Sequence, residues 1–317
     1  MLKAPIGKSS RGPSKIAGPP SLGPDALRIR APRGGVVQSM EEHSKPHAPH
    51  SPRRLRVLTY NVRRCLGVDG RYAPERIVSV IASAKADVVA LQELDVNRMR
   101  SGGLDQALAL ASALRMSHHF HPAMRVVEEL YGDAILTHLP MRLVKAGPLP
   151  GSRRALWEEP RGALWAEITF DGRPVQVVNT HFGLRPGERV RQATALLGPE
   201  WLGREDGQGP AIVLGDFNAP PSSNAYRLMA RRLQDAQTAE RRRPKPTFPS
   251  RWPVLRIDHI FVGGGVEVAG VHVVREGKAR VASDHLPLCA DLLIPATVSR
   301  GTPVTGPGPL PAREAKV

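Results

Sequence analysis

The feature that most constrains this chain is a regular alternation of apolar and amphipathic segments from residue 55 to residue 294. Short runs rich in Val, Ile and Leu predict strands, and apolar residues at a helical spacing predict helices. The predicted strands cover residues 55–62, 87–94, 133–138, 162–170, 174–182, 211–217, 256–262 and 286–294, and the predicted helices cover 74–84, 104–114, 186–202 and 222–233. This alternation is typical of an α/β fold.

The two ends of the chain differ in composition from the segment between them. Residues 1–52 and 296–317 are rich in Pro, Gly, Ser and basic residues, and they have no apolar period. Segments of this kind cannot bury enough apolar surface to fold. We therefore expect basic, disordered tails at 1–52 and 296–317, and a single folded domain over residues 53–295.

Several classes of protein are excluded by what the sequence lacks. Two cysteines, Cys65 and Cys289, are too few for a disulfide scaffold or a thiolate metal cluster. No uninterrupted apolar stretch approaches the roughly 20 residues of a membrane span. The N-terminus also lacks the apolar core of a secretory signal. We expect a cytoplasmic monomer with no transmembrane segment.

The formal net charge of +16 is spread over both tails and the central domain. A basic surface can attract phosphates, nucleic acid or anionic lipid. A general bias toward arginine would give the same charge without any anionic partner. Nucleic acid and anionic lipid therefore stay open as partners.

Polar residues stand at the ends of six predicted strands. They are Asn61, Glu93, His181, Asp216, Asn218, Asp258, Asp284 and His285. One such residue would most often be a cap or a turn former. Six strands that each carry one predict a ligand site, because α/β folds bind ligands where strand ends and loops converge.

The types of these residues indicate the chemistry. Asn61, Glu93 and Asp284 offer oxygen ligands, which suit a hard cation such as Mg²⁺ or Mn²⁺.

The two histidines and Asn218 can bond a phosphoryl oxygen or move a proton, and Asp216 can orient or deprotonate a water molecule. Metal-assisted hydrolysis of a phosphoester requires such a combination.

Six motifs resemble one known family in sequence and in order. They are "TYNV", "LQE", "NTHFGL", "GDFNAPP", "RIDHIFV" and "SDHLPL". This pattern resembles the endonuclease/exonuclease/phosphatase superfamily, which has the deoxyribonuclease I-like fold, and most of all its small bacterial metal-dependent hydrolases. The resemblance implies a four-layer α/β sandwich, in which two packed mixed β-sheets are flanked by helices.

The resemblance also implies a role for each of the eight polar residues. It implies metal binding for Asn61, Glu93 and Asp284, a catalytic histidine at His285 oriented by Asp258, contact with the scissile phosphate for His181, and positioning of water and phosphate for Asp216 and Asn218. Whether Asp216 or His285 is the general base is left open by the sequence.

The substrate is open as well. We expect a Mg²⁺-dependent phosphoester hydrolase, acting on diesters or monoesters, with a DNA or RNA nuclease as the alternative. A phospholipid-type phosphodiesterase ranks third. An inactive binding module is the non-enzymatic alternative, but such a protein would be expected to lose ligands such as Glu93 or His285, and both are present.

Two residues depart from the family pattern. Asp133 in "YGDAIL" stands where similar proteins often have Asn. Its side chain could face the pocket, where its charge could weaken the binding of an anionic substrate, or it could face solvent, which is favoured. His259 stands where an aromatic residue is common, and strand alternation predicts that it points away from the face of Asp258.

Other features have two readings each. His119 and His121 could form a zinc pair, although a surface strand is favoured. The basic run at 239–246 could contact phosphate or lipid, although a solvated loop is favoured. Arg161 could stabilise phosphate charge or form a structural ion pair. Three aromatic residues could line a substrate rim or anchor loops: Trp157, Phe248 and Trp252.

Overall fold

The computed structural model describes residues 54–151, 159–203, 209–240 and 242–295. The predicted disordered tails, 1–52 and 296–317, lie outside the described residues, and so does Trp157. None of the described helices is both long enough and apolar enough to cross a bilayer.

The described residues form strands and helices that alternate except for five consecutive strands in the middle of the chain and two consecutive strands near its end. The strands are β1 (Arg54–Asn61), β2 (Val88–Val96), β3 (Ser117–Val126), β4 (Glu129–Thr137), β5 (Met141–Pro148), β6 (Gly162–Phe170), β7 (Arg173–His181), β8 (Ala211–Asp216), β9 (Gln234–Asp235), β10 (Asp258–Gly263), β11 (Glu267–Val273) and β12 (Leu288–Leu293). The α-helices are α1 (Pro74–Ala84), α2 (Gln106–Leu114), α3 (Pro186–Leu196), α4 (Asn224–Ala230), α5 (Ala236–Ala239) and α6 (Ala279–Ala282).

These strands form two six-stranded mixed sheets. The strand order is β11-β12-β1-β2-β4-β3 in the first sheet and β5-β6-β7-β8-β10-β9 in the second. In each sheet one central pair is parallel, β1 with β2 and β7 with β8. The neighbouring pairs around them are antiparallel. Parallel neighbours need a long crossover connection, which explains why helices alternate with these strands.

Three apolar clusters hold the layers together. The central cluster joins the inner faces of both sheets, with Val57 and Val88 from the first and Val177 and Ile212 from the second. A second cluster packs α1 and α2 on the outer face of the first sheet. The third packs α3 and α4 on the outer face of the second sheet. The predicted four-layer α/β sandwich is therefore confirmed.

The predicted elements mostly agree with the observed ones. Helix α1 and strand β6 have the predicted bounds, and Pro74 stands at the first turn of α1, where its missing N–H costs no hydrogen bond. The helix predicted over 186–202 is too long, because α3 ends at Leu196 just before Gly198 and Pro199. Strands β5 and β11 were not predicted, since their mixed polar and apolar residues are half exposed along much of their length.

Candidate active site

The pairing of three neighbouring strands in the second sheet brings three of the predicted polar residues to the same end of those strands. Asp216 is the last residue of β8, and it lies opposite His181 of β7 and opposite Asp258 of β10. All three are buried, with 1 to 3% of each residue exposed. The strand register alone therefore places two carboxylates and an imidazole side by side.

A glycine permits the close approach of β7 to β8 at this point. A Cβ atom on Gly215 would lie 1.9 Å from the carbonyl oxygen of Thr180. Glycine alone avoids that clash. The "GD" sequence is thus a packing requirement for the position of Asp216.

The carboxylate of Asp216 lies at the centre of the group. Its Oδ2 accepts a hydrogen bond from Asn61 Nδ2 at 3.0 Å, and its Oδ1 accepts one from the Asn218 backbone N–H at 2.9 Å. The same Oδ2 lies 3.5 Å from His181 Nε2 and 3.6 Å from His285 Nε2. The Asn61 amide from the first sheet and the two imidazoles therefore all face one oxygen atom of Asp216.

Asp258 and His285 form the predicted pair. His285 Nδ1 lies 3.1 and 3.0 Å from the two carboxylate oxygens of Asp258. The Thr247 hydroxyl donates a hydrogen bond to Asp258, and the Phe248 ring packs on the imidazole with centroids 4.8 Å apart. These contacts hold the ring so that Nε2 is directed toward Asp216.

The pKa values of His285 and Asp216 are both raised. Burial opposes a charged imidazole, but the negative charges of Asp258 and Asp216 outweigh it and raise the pKa of His285. Burial raises the pKa of Asp216, and the charge of Asp258 adds to the effect against the opposing positive charge of His285. The site thus favours the cationic form of the His285 ring and makes Asp216 more basic than a free carboxylate.

The second histidine has a different partner. Arg161 Nη1 lies 2.9 Å from His181 Nδ1, and its guanidinium also pairs with Glu159 at 3.1 Å. Because a guanidinium only donates, Nδ1 must accept, and the proton of the neutral ring lies on Nε2. Burial and the positive charges of Arg161 and His285 hold the pKa of His181 well below its usual value. His181 is therefore a neutral donor.

Glu93 and Asn61 meet where the first sheet contributes to the site. A β-bulge in β2 gives Glu93 a φ of 62°, and its carboxylate accepts a hydrogen bond from Asn61 Nδ2 at 2.9 Å. Bulges of this kind redirect a side chain, and positive φ at a non-glycine residue is a form of strain found at functional sites. Asn218, after β8, also has a positive φ, 48°.

The donor set near Glu93 fits a hard divalent cation. Glu93 and Asn61 offer oxygen atoms, and within the described part of the chain no ion pair neutralises Glu93. The carboxylate of Glu159 adds negative charge nearby. A cation bound here would offset that accumulated charge.

Asp284, the third predicted metal ligand, has a cationic neighbour instead. Its Oδ2 lies 3.4 Å from Arg63 Nε, and its side chain is 30% exposed. The preceding Ser283 hydroxyl donates a hydrogen bond to the Asn61 carbonyl at 2.7 Å, which ties the "SDH" turn to the end of β1. Among the described residues, three side chains that could together hold a metal ion are Asp216, Asp258 and His285. Their potential ligand atoms lie within 4.8 Å of one another. Metal binding by Asp284 stays a prediction.

The expectation for Asp133 is wrong. Its side chain does not face solvent, since the residue is only 3% exposed. Burial raises the pKa of this carboxyl to about 8, because it outweighs the opposing effects of Arg161 and of a hydrogen bond with the Glu93 backbone. The burial follows from the position of β4, which lies between β2 and β3 and is covered on both faces.

The remaining candidates are resolved by their surroundings. His259 points away from Asp258 as predicted, and its Nε2 lies 2.8 Å from the Ala219 carbonyl. His119 and His121 lie on the edge strand β3, but the Nε2 atom of His121 is buried against Gly162 of β6 rather than exposed at a surface. Phe248 lines the same cavity as Asp216 and His285, whereas Trp252 is 80% exposed and does not anchor a loop.

A cavity of about 710 Å³ opens over these residues. Glu93, Arg161, His181, Asp216, Asn218 and His285 contribute to its wall, and Arg64 adds positive charge, whereas the charge of Arg100 is paired with Asp95. Sequence reasoning left the role of Arg161 open and missed Thr247. The contact of Arg161 with His181 spans 20 residues, so no local pattern could reveal it.

Comparisons with known proteins agree with this geometry. The model of the Endonuclease/Exonuclease/phosphatase family matches residues 58–285. The chain belongs to this family.

Among its relatives, an uncharacterized protein, YbhP of Escherichia coli, is 26% identical over 250 residues, which span 75% of this chain and 96% of that protein. Two solved structures share the fold at 22% identity and cover 76% of this chain. One is an endonuclease/exonuclease/phosphatase from Bacteroides vulgatus (TM-score 0.63, 99% of that chain), and the other is a mannosyl-6-phosphatase from Bacteroides thetaiotaomicron (TM-score 0.62, 100% of that chain).

The pairing of Asp258 with His285 can be tested by a double-mutant cycle. We expect His285→Ala to lower kcat by about 10² to 10⁴-fold, as for a general acid–base or charge-stabilising group, and Asp258→Asn to lower it less. The double variant should be scarcely slower than His285→Ala, because Asp258 acts through that ring. Losses that multiply independently would break the proposed pair.

The contact between Arg161 and His181 predicts a graded effect on turnover. Arg161→Gln should lower kcat by about tenfold or more, because the positive charge and the fixed Nε2 proton of His181 are both lost. Arg161→Lys should recover part of the rate. Nitrogen NMR shifts of the His181 ring should report a change of tautomer in the Gln variant only. Wild-type kcat together with an unchanged tautomer in Arg161→Gln would contradict this role.

Proposed function

We propose that this protein is a divalent-metal-dependent phosphoester hydrolase. One observation carries the proposal, the convergence of Asn61, His181 and His285 on a single carboxylate oxygen of Asp216. Hydrolysis of a phosphoester needs a proton acceptor for the attacking water and donors for the phosphoryl oxygens. This group supplies both within a few ångströms.

In the proposed reaction Asp216 accepts the proton of the attacking water. Its carboxylate is held by Asn61 and by the Asn218 backbone, so it is oriented before a substrate arrives. Burial in the wall of the cavity keeps competing water away from it. Orientation in a poorly solvated site strengthens a base at little cost in reorganisation.

The phosphoryl group would be held from two sides. His285 presents Nε2 as a cationic donor, with its other nitrogen bound to Asp258. His181 presents the Nε2 proton of a neutral ring, and the Asn218 amide beside it donates to the Phe182 carbonyl at 2.9 Å. Donors fixed in this way stabilise the negative charge that develops on the phosphoryl oxygens.

Glu93 and Asn61 would hold the metal ion, with Asp284 at the adjoining turn. When bound, a divalent cation such as Mg²⁺ or Mn²⁺ polarises a phosphoryl oxygen and offsets the charge of the leaving group. The charges of Glu93 and Glu159 support this assignment, since two carboxylates stand against the one buried arginine among them, Arg161.

A nuclease is the second candidate. Arg64 lines the cavity and could bind a phosphate that flanks the scissile one. The net charge of +16 would increase the rate of association with a nucleic acid. An inactive binding module is disfavoured, because all eight predicted site residues are present.

A panel of phosphoesters tests the function. We expect hydrolysis of at least one class among nitrophenyl monoesters and diesters, sugar phosphates, nucleic acids and phospholipids, with Mg²⁺ or Mn²⁺ present and not with EDTA. Phosphate or alcohol release is the readout. Failure of the whole panel with a folded protein would favour the binding module.

Glu93→Gln tests the metal site on the best substrate of that panel. The variant should need about tenfold more Mg²⁺ for half-maximal rate, because such sites depend on few protein carboxylates. Glu200→Gln is the matched control, because it replaces an exposed carboxylate that is distant from Glu93 in the sequence. Superimposable Mg²⁺ titrations for wild type and Glu93→Gln would remove Glu93 from the metal site.

A further inference from the structure

A second cavity lies apart from the catalytic one. It has a volume of about 220 Å³ and lies between the segment 242–245 and the edge strand β11. None of the residues that line it lines the catalytic cavity. We call it the basic groove and define it by Gln237, Arg242, Arg243, Lys245 and Arg275.

The charge of the basic groove is strongly positive. Arg242, Arg243, Lys245 and Arg275 are four cations, and His272 lies beside them. The acid in the lining, Glu240, uses its Oε1 to accept a hydrogen bond from the Val271 backbone N–H at 2.8 Å. Across the residues that the structure describes, no ion pair neutralises any of the four cations. Four cations against one carboxylate favour an anion between them.

A buried amide adds a directed donor to this charge. Gln237 is only 5% exposed, and its Oε1 accepts a hydrogen bond from the Lys245 backbone N–H at 2.7 Å. That bond fixes which end of the amide is the oxygen. Its Nε2 is buried and has no acceptor among the described residues. Buried donors without a partner are rare, because leaving one unpaired is unfavourable.

We propose that the basic groove binds a phosphate group. The Gln237 Nε2 would donate to one phosphate oxygen, and the arginines would bind the others, for which a planar guanidinium is well suited. The position of the groove links it to the catalytic cavity. Lys245 precedes Phe248 by three residues, which limits their Cα–Cα distance to about 11 Å.

The phosphate can have two sources. It can be free inorganic phosphate, or it can be a phosphate of a nucleic-acid strand that extends out of the catalytic cavity. Binding at the groove is independent of the proposed hydrolysis, since it is measured without turnover and at residues outside the catalytic cavity.

The decisive variant is Gln237→Glu. It keeps the size of the side chain and the acceptor for the Lys245 N–H, but it replaces the Nε2 donor with negative charge. Arg243→Gln removes one exposed cation and carries the test if Gln237→Glu does not fold. Arg142→Gln is the matched control, because it removes one cation from β5, at the far edge of the second sheet.

The probe is inorganic phosphate, titrated calorimetrically into the full chain with EDTA present. We expect Gln237→Glu to weaken binding by about tenfold or more and Arg243→Gln by a few-fold, because a like charge or a lost cation faces the anion. Arg142→Gln should bind as the wild type does. A second arm measures a single-stranded oligonucleotide by fluorescence anisotropy at several salt concentrations. If a nucleic-acid strand is the source, Arg243→Gln should reduce the slope of log K against log salt by about one.

The two arms distinguish the sources. Loss of phosphate affinity without a change in oligonucleotide binding would support the groove as a site for free phosphate. Loss in the oligonucleotide arm would support a strand phosphate. Unchanged affinity for both probes in Gln237→Glu and Arg243→Gln, or an equal loss in Arg142→Gln, would overturn the proposal.

Discussion

The buried carboxylate of Asp216 is the group on which the rest of the site depends. It joins both sheets, because Asn61 at the end of β1 donates to the same oxygen that faces His181 and His285. A carboxylate this deeply buried is stable only when its oxygens are hydrogen-bonded. The neighbouring donors therefore have a structural role as well as a chemical one, and removing any of them leaves charge unpaired.

A second buried polar network keeps the two sheets in register below that group. Gln92 of β2 donates to Asn179 Oδ1 at 2.8 Å, and Asn179 donates to the carbonyls of Leu91 and Ala134 at 2.9 Å. Apolar contacts between sheets tolerate sliding, whereas a satisfied polar network has one arrangement. This network explains how side chains from the two sheets can be held in place relative to one another at the cavity.

The fold and most of the site could be predicted from sequence, because both depend on local patterns. Strands such as β6 are apolar throughout, and a polar residue directly after an apolar run, as at Asp216, marks a strand end. The pairing of His181 with Arg161 and the burial of Asp133 could not be predicted, because each depends on elements that become neighbours only in the folded chain. The proximity of Arg63 to Asp284 belongs to the same class.

We propose that Asp216 accepts the proton of the attacking water. Asp216→Asn keeps the size of the side chain and removes the base, so its effect on kcat measures this claim most directly. We predict a fall of about 10² to 10⁴-fold in kcat, with the Mg²⁺ concentration for half-maximal rate near the wild-type value and a circular dichroism spectrum that shows a folded chain. A variant that turns over at a wild-type rate would contradict the role of Asp216 as the proton acceptor.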